Sequence, residues 1–373
     1  MGLIIVRPFI AAALACSFIL SVSLESAQAS SASAAKATPA SFFGVMADGP
    51  AIDGTTDAAA EFRLMRSSGA RSVRFSIFWR GVEPSRGAFD FAKLDVLVGG
   101  AANAGVTVLP VVQGTPAWAA SAPATYASPP ADPSDYAAFV AKLARRYGPS
   151  GEFWKTNKGK DLPIKSWQIW NEPNLNGSWS LEQGPWAQGY VSLLRSTRKA
   201  LKAADPTAKI VLGGLCSSRK GASWENLRAI YAAGGRGLFD VAAVHPFSQR
   251  VASIVKIVDF SRAVMRDYKD TKTPMLLTEI SWSSAEGWPV SPAYGWELTE
   301  QGQATQLRAT LIALAARRQV DNIVGFHWAG WLSPAVGSTN SFDYSGLRKM
   351  VGAIPVSKPA LTAYRETVSK LTR

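Results

Sequence analysis

The chain has 373 residues, of which 47% are hydrophobic, and its formal net charge is +13. Such a chain can bury a sizeable core, and its length suits a single (β/α)8 barrel, which commonly needs about 250 residues or more. Two histidines, two cysteines and the lack of a P-loop or a Gly-rich dinucleotide motif argue against metal and nucleotide chemistry. We therefore expect no metal and no cofactor.

The basic residues are spread along the chain in ones and twos, which is typical of solvated helix faces. We expect no nucleic-acid partner. The positive charge is still compatible with electrostatic association of the protein with an acidic cell envelope.

The N-terminus has the three parts of a secretory signal peptide. Arg7 supplies the positive charge, an apolar run covers Pro8–Val22, and Ala27-Gln28-Ala29 is a small-residue cleavage motif. The run is short for a membrane-spanning helix, which needs about 20 residues. We expect a signal peptide over residues 1–29, cleavage near Ala29, secretion, and no stable membrane insertion afterwards. An uncleaved anchor is the main alternative, and a lipoprotein motif at Cys16 is a weaker one.

The residues after the cleavage motif divide into a linker and one domain. Residues 30–40 are rich in Ser and Ala and predict a flexible linker, and residues 41–373 predict a single domain. Cleavage would leave Cys216 as the one cysteine. No neighbouring residue in the sequence suggests a base for it, so burial is favoured over a catalytic thiol.

From residue 41 onward, short β-rich runs alternate with amphipathic helical patterns. The predicted strands are Phe42–Ala47, Ser72–Phe78, Val106–Val112, Ser166–Asn171, Lys209–Gly214, Asp240–His245, Met275–Ile280 and Asn322–Trp328. The predicted helices are Asp57–Ser68, Asp90–Ala104, Ser134–Tyr147, Tyr190–Ala203, Ser223–Ala233, Ala252–Tyr268, Thr299–Arg318 and Pro359–Leu371. Eight alternations predict an α/β fold, a single (β/α)8 TIM barrel with parallel strands. An open doubly wound sheet is the alternative.

Functional residues of such a barrel gather at the carboxyl ends of its strands. In this chain those positions carry polar and aromatic residues: Asp48, Trp79, Gln113 with Trp118, Asn171 with Glu172, Cys216, His245, Glu279 with Trp282, and Trp328. The two glutamates among them, Glu172 and Glu279, end apolar strands. A pair of carboxylates is what glycoside hydrolysis needs, because one acts as acid and base and the other as nucleophile.

The segment Trp170-Asn171-Glu172-Pro173-Asn174, together with Thr278-Glu279, resembles glycoside hydrolase clan A, the retaining (β/α)8 glycosidases. The resemblance covers the chain from Phe42 to the last helix and is closest to family 39-like or family 5-like members, as the second βα loop at 83–90 also indicates. It implies an enzyme that hydrolyses O-glycosidic bonds, β-linked ones above all, in an oligo- or polysaccharide. Glu172 would be the acid/base and Glu279 the nucleophile.

The resemblance also implies four further site residues. Arg74 would hold the nucleophile carboxylate, and Asn171 would bind the sugar 2-hydroxyl. His245 would line the subsite of the scissile sugar, and Trp328 would form its floor. Each has a structural alternative, such as a buried ion pair, a turn or ordinary barrel packing.

Three aromatic residues complete the predicted substrate site: Trp118, Trp282 and Phe247. Clan members often have Tyr where this chain has Phe247, so a hydroxyl that could bond to the nucleophile is missing. Tyr294 is a weaker candidate, in a long loop over residues 283–300 that either walls the cleft or packs over the barrel rim.

The acid/base and the nucleophile need different pKa values. We expect the charge of Glu279 and partial burial to raise the pKa of Glu172, and Arg74 to keep Glu279 ionised. A carbohydrate-binding barrel without catalysis and a transglycosidase using the same two carboxylates are the alternative functions. Loop shapes, which residue spacing does not encode, decide the sugar, the linkage, and exo or endo action. The sequence pattern does not indicate an oligomeric state.

Overall fold

The computed structural model describes residues 37–122, 124–181, 184–218, 221–334 and 337–373. The predicted signal peptide and the linker up to residue 36 lie outside the described residues. The described chain forms one compact unit, Ala37–Arg373. Its start is tied to its end, because the Thr38 backbone N–H donates to the Leu371 carbonyl at 2.8 Å.

The centre of the unit is a parallel sheet whose strands follow the predicted runs. They are β1 (Phe43–Met46), β2 (Ser72–Phe78), β3 (Thr107–Gln113), β4 (Ser166–Ile169), β5 (Lys209–Val211), β6 (Leu215–Cys216), β7 (Ala242–His245), β8 (Met275–Ile280) and β9 (Ile323–Trp328). Their order in the sheet is β5-β4-β3-β2-β1-β9-β8-β7-β6.

The fifth barrel position is shared by β5 and β6, two halves of one interrupted strand. β5 pairs with β4 through Ser166↔Lys209, and β6 pairs with β7 through Cys216↔His245. The Leu212 N–H also donates to the Val241 carbonyl at 3.0 Å, just before β7. The sheet therefore closes on itself, and the predicted α/β (β/α)8 barrel is confirmed.

Helices alternate with the strands around this barrel. They are α1 (Ala58–Ser67), α2 (Trp79–Val82), α3 (Ala92–Ala104), α4 (Pro133–Tyr147), α5 (Glu152–Thr156), α6 (Trp186–Ala204), α7 (Ser223–Ala232), α8 (Val251–Asp267), α9 (Glu300–Arg317) and α10 (Pro359–Leu371). Local chemistry fixes several starts: the Asp57, Asp132 and Thr299 side chains accept backbone N–H groups of the first turns of α1, α4 and α9. None of the helices in the described ranges is long and apolar enough to cross a bilayer.

A second, three-stranded sheet follows β9, and the sequence did not predict it. It consists of β10 (Leu332–Ser333), β11 (Arg348–Val351) and β12 (Ile354–Ser357). The buried carboxylate of Glu61 on α1 pairs with Arg348 and accepts from Trp331 Nε1. This contact fixes the sheet to the barrel, so the loops after β9 have a rigid base.

Candidate active site

The end of β4 presents Glu172 through an unusual backbone conformation. Trp170 has φ of 67° and Glu172 has φ of 45°, both in the left-handed region that non-glycine residues seldom adopt. The Glu172 N–H donates to the Gly213 carbonyl at 2.7 Å. Strained residues of this kind cluster at functional sites, because the surrounding structure must hold them in place. Here the left-handed backbone conformation directs the Glu172 carboxylate towards the cleft at the end of the barrel.

Arg74 on β2 joins the ends of β4 and β8. Its Nη1 donates to Glu279 Oε1 at 2.8 Å, its Nη2 to Asn171 Oδ1 at 2.7 Å, and its Nε to Gln168 Oε1 at 2.8 Å. The guanidinium is 1% exposed, whereas the Glu279 side chain is 12% exposed. A buried charge needs such partners to offset its desolvation. Arg74 therefore orients the carboxylate of Glu279 and the amide of Asn171 together.

His245 at the end of β7 lies between the two carboxylates. Its Nδ1 is 2.8 Å from Glu172 Oε1, and its Nε2 is 2.9 Å from Thr278 Oγ1 and 3.6 Å from Glu279 Oε1. If Nδ1 carries the proton, it donates to an ionised Glu172, and the Thr278 hydroxyl donates to Nε2. The imidazole thus links the acid/base candidate to the strand that carries the nucleophile candidate.

The break in the fifth strand makes room for this imidazole. Gly214 has φ of 43°, and a Cβ added there would lie 2.1 Å from His245 Nε2. Such a contact is far inside van der Waals distance, so only glycine fits between β5 and β6. The run Gly213-Gly214 therefore marks the place where the strand is interrupted and the backbone closely approaches His245.

The two carboxylates are close enough for direct attack on a sugar. One oxygen of Glu172, one of Glu279 and one nitrogen of His245 all lie within 4.8 Å of one another. Retaining glycosidases separate their carboxyl groups by about 5–5.5 Å, whereas inverting enzymes need about 6.5–9.5 Å to admit a water molecule. The separation agrees with the retaining geometry.

The electrostatics of Glu172 differ from the sequence-based expectation. Burial is the largest influence and raises its pKa, but the hydrogen bond and charge of His245 oppose burial, and the combined effect of all its neighbours places the pKa below its ordinary value. A hydrogen bond from Cys216 and the charge of Arg74 act in the same direction. The expectation of a raised pKa is therefore wrong for the free protein, because it considered Glu279 and burial but not a donor on Glu172 itself.

Two groups beside the pair were not among the predicted site residues. Cys216 is buried as expected, and its thiol shares a hydrogen bond with Glu172, while burial raises the pKa of the thiol. Asp48 lies beyond the end of β1, where burial and the charge of Glu279 raise its pKa to about 7 although Arg74 lowers it. The position of Asp48 at a strand end was the sequence signal that could have included it.

Two cavities have Glu172 in their linings. One has a volume of 670 Å³ and is lined by both Glu172 and Glu279, with Asp48 and Phe247 beside them. The other has a volume of 740 Å³ and is lined by Glu172 and Phe247 but not by Glu279. Both volumes are typical of small-molecule sites, which span roughly 300–1,000 Å³.

The predicted aromatic residues separate into those that face this cleft and those that do not. Phe247 lines both cavities. Trp328 is fully buried, with Nε1 donating to the Ser345 carbonyl, and it stacks on Trp282, which is 1% exposed. Neither ring has a face left for a sugar, so their predicted stacking role is corrected to core packing beneath the site.

Trp118 also lies away from the carboxylates. Its ring packs edge-on against Trp79, its Nε1 donates to the Glu83 carbonyl, and the Arg86 guanidinium covers its face. It lines neither of the two cavities. We therefore correct its predicted role in substrate binding to packing at the second βα loop.

The oxygen and nitrogen ligands of Glu172, His245 and Glu279 could also hold a metal ion by distance alone. Arg74, whose guanidinium lies 2.8 Å from Glu279 Oε1, already supplies positive charge to this cluster. Adding a cation beside it would be opposed by Coulomb repulsion. The expectation that the site needs no metal stays a prediction.

Comparison with known proteins finds one family model that matches part of the sequence. A glycoside hydrolase family 42 model, described as beta-galactosidase, matches residues 53–130. No curated protein matches the sequence.

Solved structures match most of the chain at low identity. A family 39 glycoside hydrolase from Bacteroides cellulosilyticus is 18% identical with a TM-score of 0.67; the match covers 90% of this chain and 64% of that one. A GH39 beta-xylosidase from Caulobacter crescentus is 19% identical (89% and 72%, TM-score 0.61). A GH53 catalytic domain from Ignisphaera aggregans is 18% identical (89% and 98%, TM-score 0.61). These matches confirm the fold and the resemblance to clan A glycoside hydrolases.

Proposed function

We propose that the protein is a retaining O-glycoside hydrolase that acts on β-linked sugars. The observation that carries the proposal is the pair Glu172 and Glu279, with oxygens within 4.8 Å of each other at the carboxyl ends of β4 and β8. Arg74 at 2.8 Å favours the ionised form of Glu279, as a nucleophile requires.

In the first step Glu279 attacks the anomeric carbon, and Glu172 transfers its proton to the leaving glycosidic oxygen. The products are a covalent glycosyl-enzyme and the free aglycone. In the second step the Glu172 carboxylate takes a proton from water, whose oxygen displaces Glu279 from the anomeric carbon. Two inversions leave the anomeric configuration of the substrate unchanged.

Asn171 and His245 would assist these steps. The Asn171 amide oxygen is held by Arg74, so its NH2 group is left to donate to the sugar 2-hydroxyl. His245 holds Glu172 in the ionised form that the second step needs. Burial of Glu172 by bound substrate would raise its pKa, so that it carries a proton in the first step.

A panel of aryl β-glycosides tests the proposal. It should include the galactoside and the xyloside, because the matched proteins carry those names, together with the glucoside and the mannoside. We expect hydrolysis of at least one of them, with the β-anomer as the first product by NMR and no loss of rate after dialysis against EDTA. An α-anomer as the first product would rule out retention, and binding without any hydrolysis would favour a carbohydrate-binding barrel.

We also propose that the protein is exported and that its signal peptide is cleaved near Ala29. Arg7, the apolar run at Pro8–Val22 and Ala27-Gln28-Ala29 support this. N-terminal sequencing of protein from the culture medium should begin at or near Ser30. An intact Met1 would support the anchor instead.

A further inference from the structure

Four aromatic side chains form a cluster beside Glu172, outside the residues that hold the two carboxylates. The cluster consists of Phe247, Tyr294, Trp296 and Phe342. Neighbouring ring centroids are 5.3 to 5.6 Å apart, and all four rings line the 740 Å³ cavity. Tyr294 is 44% exposed and Phe342 is 37% exposed. The cluster therefore presents aromatic surface to a cavity that Glu172 also lines.

The chemistry of retention decides which part of a substrate this cavity would hold. The nucleophile must contact the anomeric carbon of the glycone, whereas the acid must contact the oxygen that joins the glycone to the aglycone. The 670 Å³ cavity is lined by both carboxylates, and the 740 Å³ cavity by Glu172 without Glu279. The first therefore fits the glycone and the second the leaving group.

A carboxylate fixes the loop that carries two of the four rings. Glu297 accepts the backbone N–H groups of Tyr294, Gly295 and Trp296 at 2.9, 2.8 and 3.1 Å, and it accepts from Ser341 Oγ at 2.7 Å. Ser341 directly precedes Phe342, so one side chain joins both loops of the cluster. The aromatic surface is thus formed before any ligand binds, which lowers the entropic cost of binding.

We propose that the cluster is an aglycone subsite that stacks a second sugar residue of the substrate, so that the protein cleaves bonds between sugars within an oligo- or polysaccharide. The proposal rests on the proposed glycosidase function and specifies its substrate. Aromatic rings offer flat apolar faces, and Gln249 and Ser248 in the same cavity offer hydrogen-bonding groups for hydroxyls. The volume of 740 Å³ accommodates more than one sugar ring.

Substrates with and without an aglycone sugar test the subsite. A β-glycosyl fluoride has no aglycone sugar, whereas a β-linked tetrasaccharide of the same sugar fills both cavities. Tyr294→Ser removes an exposed ring of the cluster. We expect the ratio of kcat/KM for the tetrasaccharide to kcat/KM for the fluoride to fall about tenfold, the factor that corresponds to about 1.4 kcal/mol.

Trp288→Ser is the matched control. Trp288 lies in the same loop and is 46% exposed, but its ring faces Tyr344 rather than the cluster. We expect this variant to keep the wild-type ratio. An unchanged ratio in Tyr294→Ser, or an equal change in both variants, would overturn the subsite while leaving the glycosidase function intact.

A binding measurement decides the matter if the wild-type protein cleaves neither substrate, an outcome that would end the proposed function. Calorimetric titration of wild type and of Tyr294→Ser with cellotetraose, xylotetraose, mannotetraose and β-linked galactotetraose then measures what the cluster contributes to binding. A tetrasaccharide that binds wild type with a Kd about tenfold lower than it binds Tyr294→Ser supports a sugar subsite. Equal affinity for both proteins, or no binding of any tetrasaccharide, contradicts it.

Discussion

Nδ1 of His245 lies 2.8 Å from Oε1 of Glu172, and this contact sets the resting charge of the acid/base candidate. The imidazole is fully buried, whereas the Glu172 side chain is 18% exposed to the cleft. The pair therefore has one face towards the substrate and one towards the protein. Because His245 holds the pKa of Glu172 below its ordinary value, we expect the Glu172 side chain of the free protein to be ionised near neutral pH.

Replacing His245 should raise the pKa of Glu172, because burial raises this pKa and the hydrogen bond and charge of His245 are the largest contributions that lower it. In His245→Ala we expect the alkaline limb of the pH profile of kcat/KM, which reports the acid of the free enzyme, to move to higher pH. The direction follows because a hydrogen bond to the ionised carboxylate favours the charged form, and the variant lacks that bond. A limb that stays in place would show that another group supplies the acid.

Gly214→Ala should displace the same imidazole without touching a carboxylate. The added Cβ would lie 2.1 Å from His245 Nε2, so the ring must move away from Glu172 and Thr278. We expect kcat/KM to fall at least about tenfold, a loss of about 1.4 kcal/mol of transition-state stabilisation. Gly81→Ala is the control, because a Cβ there meets no atom within 4 Å. Full activity of Gly214→Ala would mean that the position of His245 does not matter.

The thiol of Cys216 should also lower the pKa of Glu172, but by less than His245 does. Its hydrogen bond lowers the pKa of Glu172, so Cys216→Ala should move the alkaline limb of kcat/KM to higher pH, whereas Cys216→Ser keeps a donor and should stay close to wild type. The native thiol should also resist iodoacetamide, because burial raises its pKa. Rapid alkylation, or identical profiles for the alanine and serine variants, would contradict this assignment.

Asp48 should make the stability of the protein depend on pH. Its folded pKa of about 7 exceeds its ordinary value of 3.8, so the folded protein binds more protons than the unfolded chain between these two pH values, and its contribution to stability falls as pH rises. Asp48→Asn removes this titration. We expect the free energy of unfolding of the variant, relative to wild type, to increase by about 2.6 kcal/mol from pH 5 to pH 8, measured by urea denaturation. A constant difference over this range would show that Asp48 titrates normally in the folded protein.

The sequence predicted the barrel well because each of its elements carries a local signal. The runs Ser72–Phe78 and Met275–Ile280 are strands with the predicted bounds, and Pro359–Leu371 is a helix with the predicted bounds. The hairpin of β11 and β12 carries a local signal in its Gly352 turn, which our strand prediction overlooked. The other strand of the small sheet, Leu332–Ser333, is only two residues long and depends on a partner 16 residues later in the chain, Arg348. Pairing of that kind is a tertiary event without a local pattern.

The site was predictable where a residue lies at a strand end, and less so where its direction depends on packing. Asn171, Glu172, His245 and Glu279 lie at strand ends, as barrel topology predicts. Arg74 lies inside β2 and was predicted from the resemblance to clan A. The structure brings all five together. Trp328 occupies a strand end too, but its ring turns under the loop at Ser345. Phe342, whose ring faces the cleft, comes from a loop whose path strand spacing does not encode.

The central claim is the division of roles between Glu172 and Glu279, and chemical rescue by azide tests it most directly. The substrate is a 2,4-dinitrophenyl β-glycoside of the sugar that wild type hydrolyses, whose leaving group needs little protonation. Glu172→Ala should form the glycosyl-enzyme, stall for want of a base, and recover turnover when azide is added, giving the β-glycosyl azide. Glu279→Ala should lose turnover and, with azide, give at most the inverted α-glycosyl azide. An α-glycosyl azide from Glu172→Ala would exchange the two roles, and wild-type turnover by both variants would show that the carboxylate pair is structural.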